Sequence, residues 1–145
     1  MLQCLSEEDV KFLLVGAYAL AVHGFPRATK DIDFFVWATP ENAANLMRAL
    51  ARFGAPMEGI AESDFSLEGV IFQIGNSPRR IDIITTIDGI KFDQAYSNKK
   101  IFAIEGLQIP VISLEDLIAN KRASGRKQDL ADVEKLESQL KGKRK

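Results

Sequence analysis

Asp31 and Asp33 stand two residues apart in the run Asp31-Ile32-Asp33-Phe34-Phe35-Val36. In a strand, that spacing sends both carboxylates from one face while Ile32 and Phe34 leave the other. Two carboxylates held close repel, and one takes up a proton unless a cation sits between them. Oxygen-only ligands of this kind suit Mg²⁺ or Mn²⁺. Asp82 has the same local setting, between Ile81 and Ile83. A strand laid beside the first would deliver this third carboxylate to the same patch. The competing reading is a pair of strands whose acids simply face solvent, and the surrounding sequence weighs against it.

Upstream of the acid pair, Lys11 to Val15 is a short apolar strand that ends at Gly16, and Ala17 to His23 is rich in helix formers. Gly24 and Pro26 stop that helix, and the polar stretch from Arg27 to Lys30 leads into a strand from Asp31 to Trp37. A helix that starts directly after a glycine turn offers unpaired N–H groups and a positive dipole end, a physical basis for holding a triphosphate.

The other elements must carry this patch. Thr39 is placed to cap a helix with Pro40 at its first position. That helix runs from Asn42 to Phe53, with Ala43, Leu46, Met47 and Leu50 on one stripe and Gly54 as its stop. Ser66 to Ile74 and Arg79 to Ile84 read as two strands joined at Ser77 and Pro78, a hairpin. Phe92 to Ser97 reads as a short helix. Lys100 to Ile104 and Leu107 to Val111 read as strands turned by Glu105 and Gly106. Ser113 caps a helix from Leu114 to Ala123, Gly125 interrupts, and Lys127 to Leu140 continues as an amphipathic helix before a basic, frayed tail from Lys141 to Lys145. The class expected is α+β, or mixed α/β: a small mixed sheet with helices packed on it and a C-terminal helical pair over residues 114–140.

A chain of 145 residues suits a single domain spanning 1–145 with a real core. Its formal net charge of −1 excludes a protein that coats nucleic acid by bulk attraction, so any such contact is local. The lone Cys4 rules out an internal disulfide and, with one histidine, a zinc site of the Cys/His type. No stretch approaches the roughly 18 apolar residues of a membrane span, so the expected setting is cytoplasmic with no membrane partner.

Taken together, Val15-Gly16-Ala17, the short helix, Arg27-Ala28-Thr29, Asp31-Ile32-Asp33 and the later Asp82 resemble the nucleotidyltransferase superfamily, and are most similar to its AbiEii-like and minimal members. The resemblance implies that Gly16 is the first turn glycine, that Asp31 and Asp33 are the metal-binding and catalytic pair, and that Asp82 is the third acid, nearest the attacking hydroxyl. It likens Arg27 and Thr29 to the Arg-x-Thr or Arg-x-Ser ahead of the pair. Ala17 departs from the usual Gly or Ser but keeps its N–H for phosphate. The implied reaction transfers a nucleoside monophosphate from an NTP, with Mg²⁺ or Mn²⁺, to a hydroxyl on RNA, protein or a small molecule. The alternative from another class is a nucleotide-binding module without turnover, or a toxin–antitoxin component of the same fold.

Lys121, Arg122, Arg126 and Lys127 gather cations at the late helix break, where they are suited to a phosphate or an acidic partner. Lys121 is also similar to a basic residue on a late helix of the family, and Lys121 and Lys127 join the nucleotide-binding candidates. The bland reading pairs them with Asp129 or Asp132 on a solvated face. His23 reads as a cap or packing group rather than a base, and Tyr18 and Trp37 as core or contact aromatics. Two C-terminal helices leave little to hold an acceptor, so a homodimer or a partner chain is expected to complete that site.

Overall fold

The apolar run Phe12–Val15 forms β1, and all four of its side chains are buried. The computed structural model describes residues 1–25 and 31–143. β1 lies near the middle of a six-stranded sheet that also contains β2 (Ile32–Val36), β3 (Ile71–Ile74), β4 (Ile81–Ile84), β5 (Lys100–Ile104) and β6 (Leu107–Val111), in the order β3-β4-β2-β1-β6-β5. The sheet is mixed: β1 runs antiparallel to β2, β2 parallel to β4 and β1 parallel to β6, while hairpins join β3 to β4 and β5 to β6. β1 is a continuous apolar run because both of its faces are covered. The edge strands β3 and β5 keep exposed positions such as Ile71 and Ile101.

Among the described residues, six α-helices pack around this sheet: α1 (Leu2–Glu7), α2 (Gly16–Val22), α3 (Pro40–Phe53), α4 (Phe92–Ser97), α5 (Leu114–Ser124) and α6 (Lys127–Lys143). The mixed α/β class expected from the sequence is the class observed. Local chemistry sets several ends as anticipated. Thr39 Oγ1 accepts from the Asn42 N–H at 3.2 Å, Gly54 closes α3 in the left-handed region, Ser113 Oγ accepts from the Asp116 N–H at 3.2 Å, and Gly125 ends α5 with φ 68°. Glu105 and Gly106 both have positive φ, the geometry of a two-residue hairpin turn.

Three expectations need correction. The strand read over 66–74 is confined to Ile71–Ile74. Glu62–Ser66 is instead a 3₁₀ turn that buries Phe65 against the core, with Asp64 accepting from the Ala61 N–H. α6 runs on to Lys143, so residues 141–143 of the expected frayed tail are helical. The N-terminal segment forms α1, a helix not anticipated, which buries Leu2 and Leu5; Glu7 at its end and the capping Glu8 face Arg52, and Glu8 also faces Arg48, on α3.

Asn42 ties α3 to the sheet from a buried position. Its Oδ1 accepts from the Lys11 N–H at 2.7 Å, and its Nδ2 donates to the Lys11 and Trp37 carbonyls at 3.0 Å each. The Lys11 N–H is thereby satisfied by a side chain, and the Lys11 and Trp37 carbonyls, which already accept from the Trp37 and Thr39 N–H groups, gain a second donor. Asn42→Ala is expected to lower stability by about 1–2 kcal/mol in urea denaturation, because the part-buried Lys11 N–H loses its partner and two carbonyls lose one of their donors. A loss below about 0.5 kcal/mol, the scale of an ordinary surface substitution, would show that the tie contributes little.

Candidate active site

The strand pairing brings the acids together. β4 runs parallel to β2 with Asp82 opposite Asp33, and β1 runs antiparallel to β2 with Val15 opposite Asp33. The C-terminal end of β1 therefore meets the N-terminal end of β2, and the turn at Gly16 sits directly on Asp33. Gly16 has φ 71°, and a Cβ there would collide with Asp33 Oδ2. Both the left-handed backbone and the close approach call for glycine at this position. α2 begins at that residue.

Asp33 and Asp82 are within hydrogen-bonding reach of one another, and the Asp33 carboxyl is pushed up to about 7. Burial is the largest cause, followed by the hydrogen bond and the charge of Asp82. The nearby Arg80 pulls the other way, and Asp31 adds a small upward push. Both burial and the neighbouring Asp82 thus favour the protonated form of Asp33.

Asp31 is placed differently from the simple two-carboxylate reading. It lies one residue before β2, and its carboxylate turns to the β3–β4 hairpin, where Ser77 Oγ donates to Oδ2 at 2.7 Å and the Arg80 N–H donates to Oδ1 at 2.7 Å. The Ser77 hydrogen bond, then the Arg80 backbone bond, hold this carboxyl below its usual range. Arg80 also forks onto Asp82, with Nε 2.8 Å from Oδ1 and Nη2 3.2 Å from Oδ2. Among the described residues, no three His, Cys, Asp or Glu side chains are gathered in metal-holding geometry. The acids form a pair, with Asp31 on the adjoining hairpin tie. Arg27 and Thr29, also expected at this site, lie outside the described residues.

Facing Asp33 across a cleft of about 430 Å³ are α5 and the start of α6, and Gly16, Ala17, Asn120, Lys121 and Asp129 are among the lining residues. Lys121 is buried, and its Nζ is 3.1 Å from Asp129 Oδ1 and 3.1 Å from Asp132 Oδ2. Asp129 Oδ2 also accepts from Ser124 Oγ at 2.6 Å and from Arg126 Nε at 2.9 Å. Burial works to raise the Asp129 carboxyl, but these hydrogen bonds and the Lys121 charge outweigh it and hold the group low. Lys121 lines the cleft and is paired with Asp129 and Asp132, but in a buried cluster rather than on the solvated face that the bland reading expected. Lys127 is exposed and is not among the residues lining this cleft, where Arg126 is found instead.

The other candidates resolve into packing. His23 Nε2 donates to the Ile112 carbonyl at 2.7 Å and its ring meets Phe102 edge-on. Trp37 stacks on Phe92 under the Lys11 ammonium, and Tyr18 packs partly buried against the core. Sequence reasoning missed Arg80, Ser77 and Asn120 as neighbours of the site, and treated Asp129 and Asp132 only as surface counter-charges. The i, i+2 spacing of Arg80 and Asp82, which puts both on one face of a strand, was a usable signal.

The six-stranded mixed sheet, with the Gly16 turn set against the Asp33–Asp82 pair where β1, β2 and β4 meet, is a nucleotidyltransferase-like fold. A crystal structure of a "putative nucleotidyltransferase" from Thermotoga maritima has the same fold, with TM-score 0.59 and 19% identity over 96% of this chain and 85% of that one. The family profile described as "Nucleotidyl transferase AbiEii toxin, Type IV TA system" matches residues 1–139, and the chain belongs to this AbiEii nucleotidyltransferase family. No curated protein matches the chain. Among the described residues, no helix is long and apolar enough to cross a membrane.

Proposed function

We propose that this protein transfers a nucleoside monophosphate from an NTP to a hydroxyl acceptor, with Asp33, Asp82 and Asp31 holding Mg²⁺ or Mn²⁺. The observation that carries this reading is the Asp33–Asp82 pair, set opposite each other by the β2–β4 register and pressed against the Gly16 turn. The donor set fits a hard divalent cation, since it consists of carboxylate oxygens, and burial beside the Asp82 charge disfavours ionisation of Asp33 without a counter-charge. Bound there, the cation would neutralise phosphate charge and favour ionisation of the attacking hydroxyl.

The chain's own residues account for the rest of the proposed step. The backbone at Gly16 and Ala17, with Arg27 and Thr29, binds the phosphates, and Lys121 and Arg126, which line the cleft, face them from the C-terminal helices. The hydroxyl oxygen bonds to the α-phosphorus, the bond to the bridging oxygen breaks, and pyrophosphate leaves. Asp82 takes the hydroxyl proton. We place the reaction in the cytoplasm, acting on RNA or protein as acceptor, with a second copy or a partner chain completing that surface. A toxin role within a toxin–antitoxin pair agrees with the family description.

Label transfer from each α-labelled NTP to RNA or protein, with Mg²⁺ or Mn²⁺, tests this directly. Transfer by the wild type that falls at least about a hundredfold in Asp33→Asn and in Asp82→Asn supports it. Metal-dependent NTP binding without any transfer would instead favour a binding module of the same fold.

A further inference from the structure

Asp82 is already engaged by a cation that belongs to the chain. Arg80 places two guanidinium nitrogens on the two oxygens of Asp82, at 2.8 and 3.2 Å, in the forked geometry of a strong charge-assisted pair. Its Nη1 also donates to Ser77 Oγ at 3.2 Å, and Ser77 in turn donates to Asp31 at 2.7 Å. The Arg80 side chain is 32% exposed while that of Asp82 is 11% exposed, so the guanidinium has a path to solvent that the carboxylate lacks. A guanidinium stays charged at any working pH, and its planar donor fork matches phosphate as well as carboxylate.

We propose that Arg80 is the resident counter-cation of the acid pair in the nucleotide-free protein, holding Asp82 in place of a divalent metal and passing to the substrate's phosphates when metal and nucleotide arrive together. This rests on the metal-holding reading of Asp31, Asp33 and Asp82 given above. Two cations cannot share the Asp82 oxygens at full strength, because they repel at separations of a few ångströms. Bare metal therefore competes with Arg80. Metal that comes with a triphosphate brings the guanidinium a new anionic partner, so nucleotide and metal promote each other's binding by the same factor.

The test is Mn²⁺ binding, read from the electron paramagnetic resonance of the free ion, for wild type, Arg80→Gln and Arg80→Lys, each without nucleotide and with a non-hydrolysable α,β-methylene NTP. Without nucleotide, Arg80→Gln is expected to bind Mn²⁺ about tenfold more tightly than wild type. The strengthening of Mn²⁺ binding by the analogue should shrink in the same variant. Arg80→Lys, which keeps the charge but loses the fork, should fall between the two and guards against a folding defect in the glutamine variant. Equal or weaker Mn²⁺ binding by both variants, with wild type binding normally, would overturn the role of Arg80 alone. No Mn²⁺ binding by any of the three, with or without the analogue, would overturn the metal-holding reading and this inference with it.

Discussion

At pH 8 in metal-free buffer, Asp33→Asn is expected to be more stable than the wild-type chain while failing to transfer nucleotides. In the folded protein the Asp33 carboxyl titrates at about 7 against an ordinary value of 3.8. Between those values the folded state holds a proton that the unfolded chain has released. Stability therefore falls as pH rises through this window and is level above it. Asparagine carries no such charge and can still donate a hydrogen bond to Asp82, so the variant escapes the fall. The gap at pH 8 should be on the order of 2 kcal/mol once partial solvent screening is allowed for. Urea denaturation of both proteins at pH 4, 6 and 8 in chelator measures it. A wild type that keeps pace with the variant as pH rises would contradict the enforced pairing of Asp33 with Asp82. Adding Mg²⁺ at pH 8 should raise the stability of the wild type and leave the variant nearly unchanged.

The largest loss of stability is expected at Lys121. Lys121→Met keeps most of the packing volume but removes the ammonium that sits 3.1 Å from both Asp129 and Asp132, each of them buried. Arg126 and Ser124 still reach Asp129. Breaking a buried ion pair from one side costs about 3–5 kcal/mol, because the remaining charge is stranded away from water. For a chain of this length that is roughly a 10–16 °C fall in Tm. The triple variant Lys121→Met/Asp129→Asn/Asp132→Asn should recover much of the loss, since it removes the stranded charges along with their partner. If Lys121→Met unfolds within about 1 kcal/mol of wild type, the cluster is solvated and its role is not structural. The C-terminal helices thus serve two ends at once: they fasten to each other through this cluster, and they present it to the cleft that holds Asp33.

Much of the local structure was legible in the chain because each signal is satisfied within a few residues. Thr39 with Pro40, Ser113 with Asp116, Gly54, Gly125 and the Glu105–Gly106 turn all act on their immediate neighbours. The unexpected elements have the opposite character. α1 is six residues long, too short to be stable by itself, and it forms because Leu2 and Leu5 find the core. The segment from Glu62 to Ser66 folds as a 3₁₀ turn because Phe65 is buried, which no strand-like alternation of its neighbours announces.

The site divides along the same line. Sequence alone determined that Asp33 lies in a strand with Asp31 just ahead of it, that Gly16 closes the strand before them, and that Asp82 lies in a matching run, since the two-residue period of a strand and the φ tolerance of glycine are local properties. Tertiary structure decided which carboxylates meet. The parallel β2–β4 register set Asp82 against Asp33, the hairpin tip drew Asp31 to Ser77 and Arg80, and the α5–α6 packing buried Lys121 between two aspartates. Partner choice among like residues far apart in the chain depends on strand order and on which charges lose their water, and neither is encoded in the spacing of neighbouring residues.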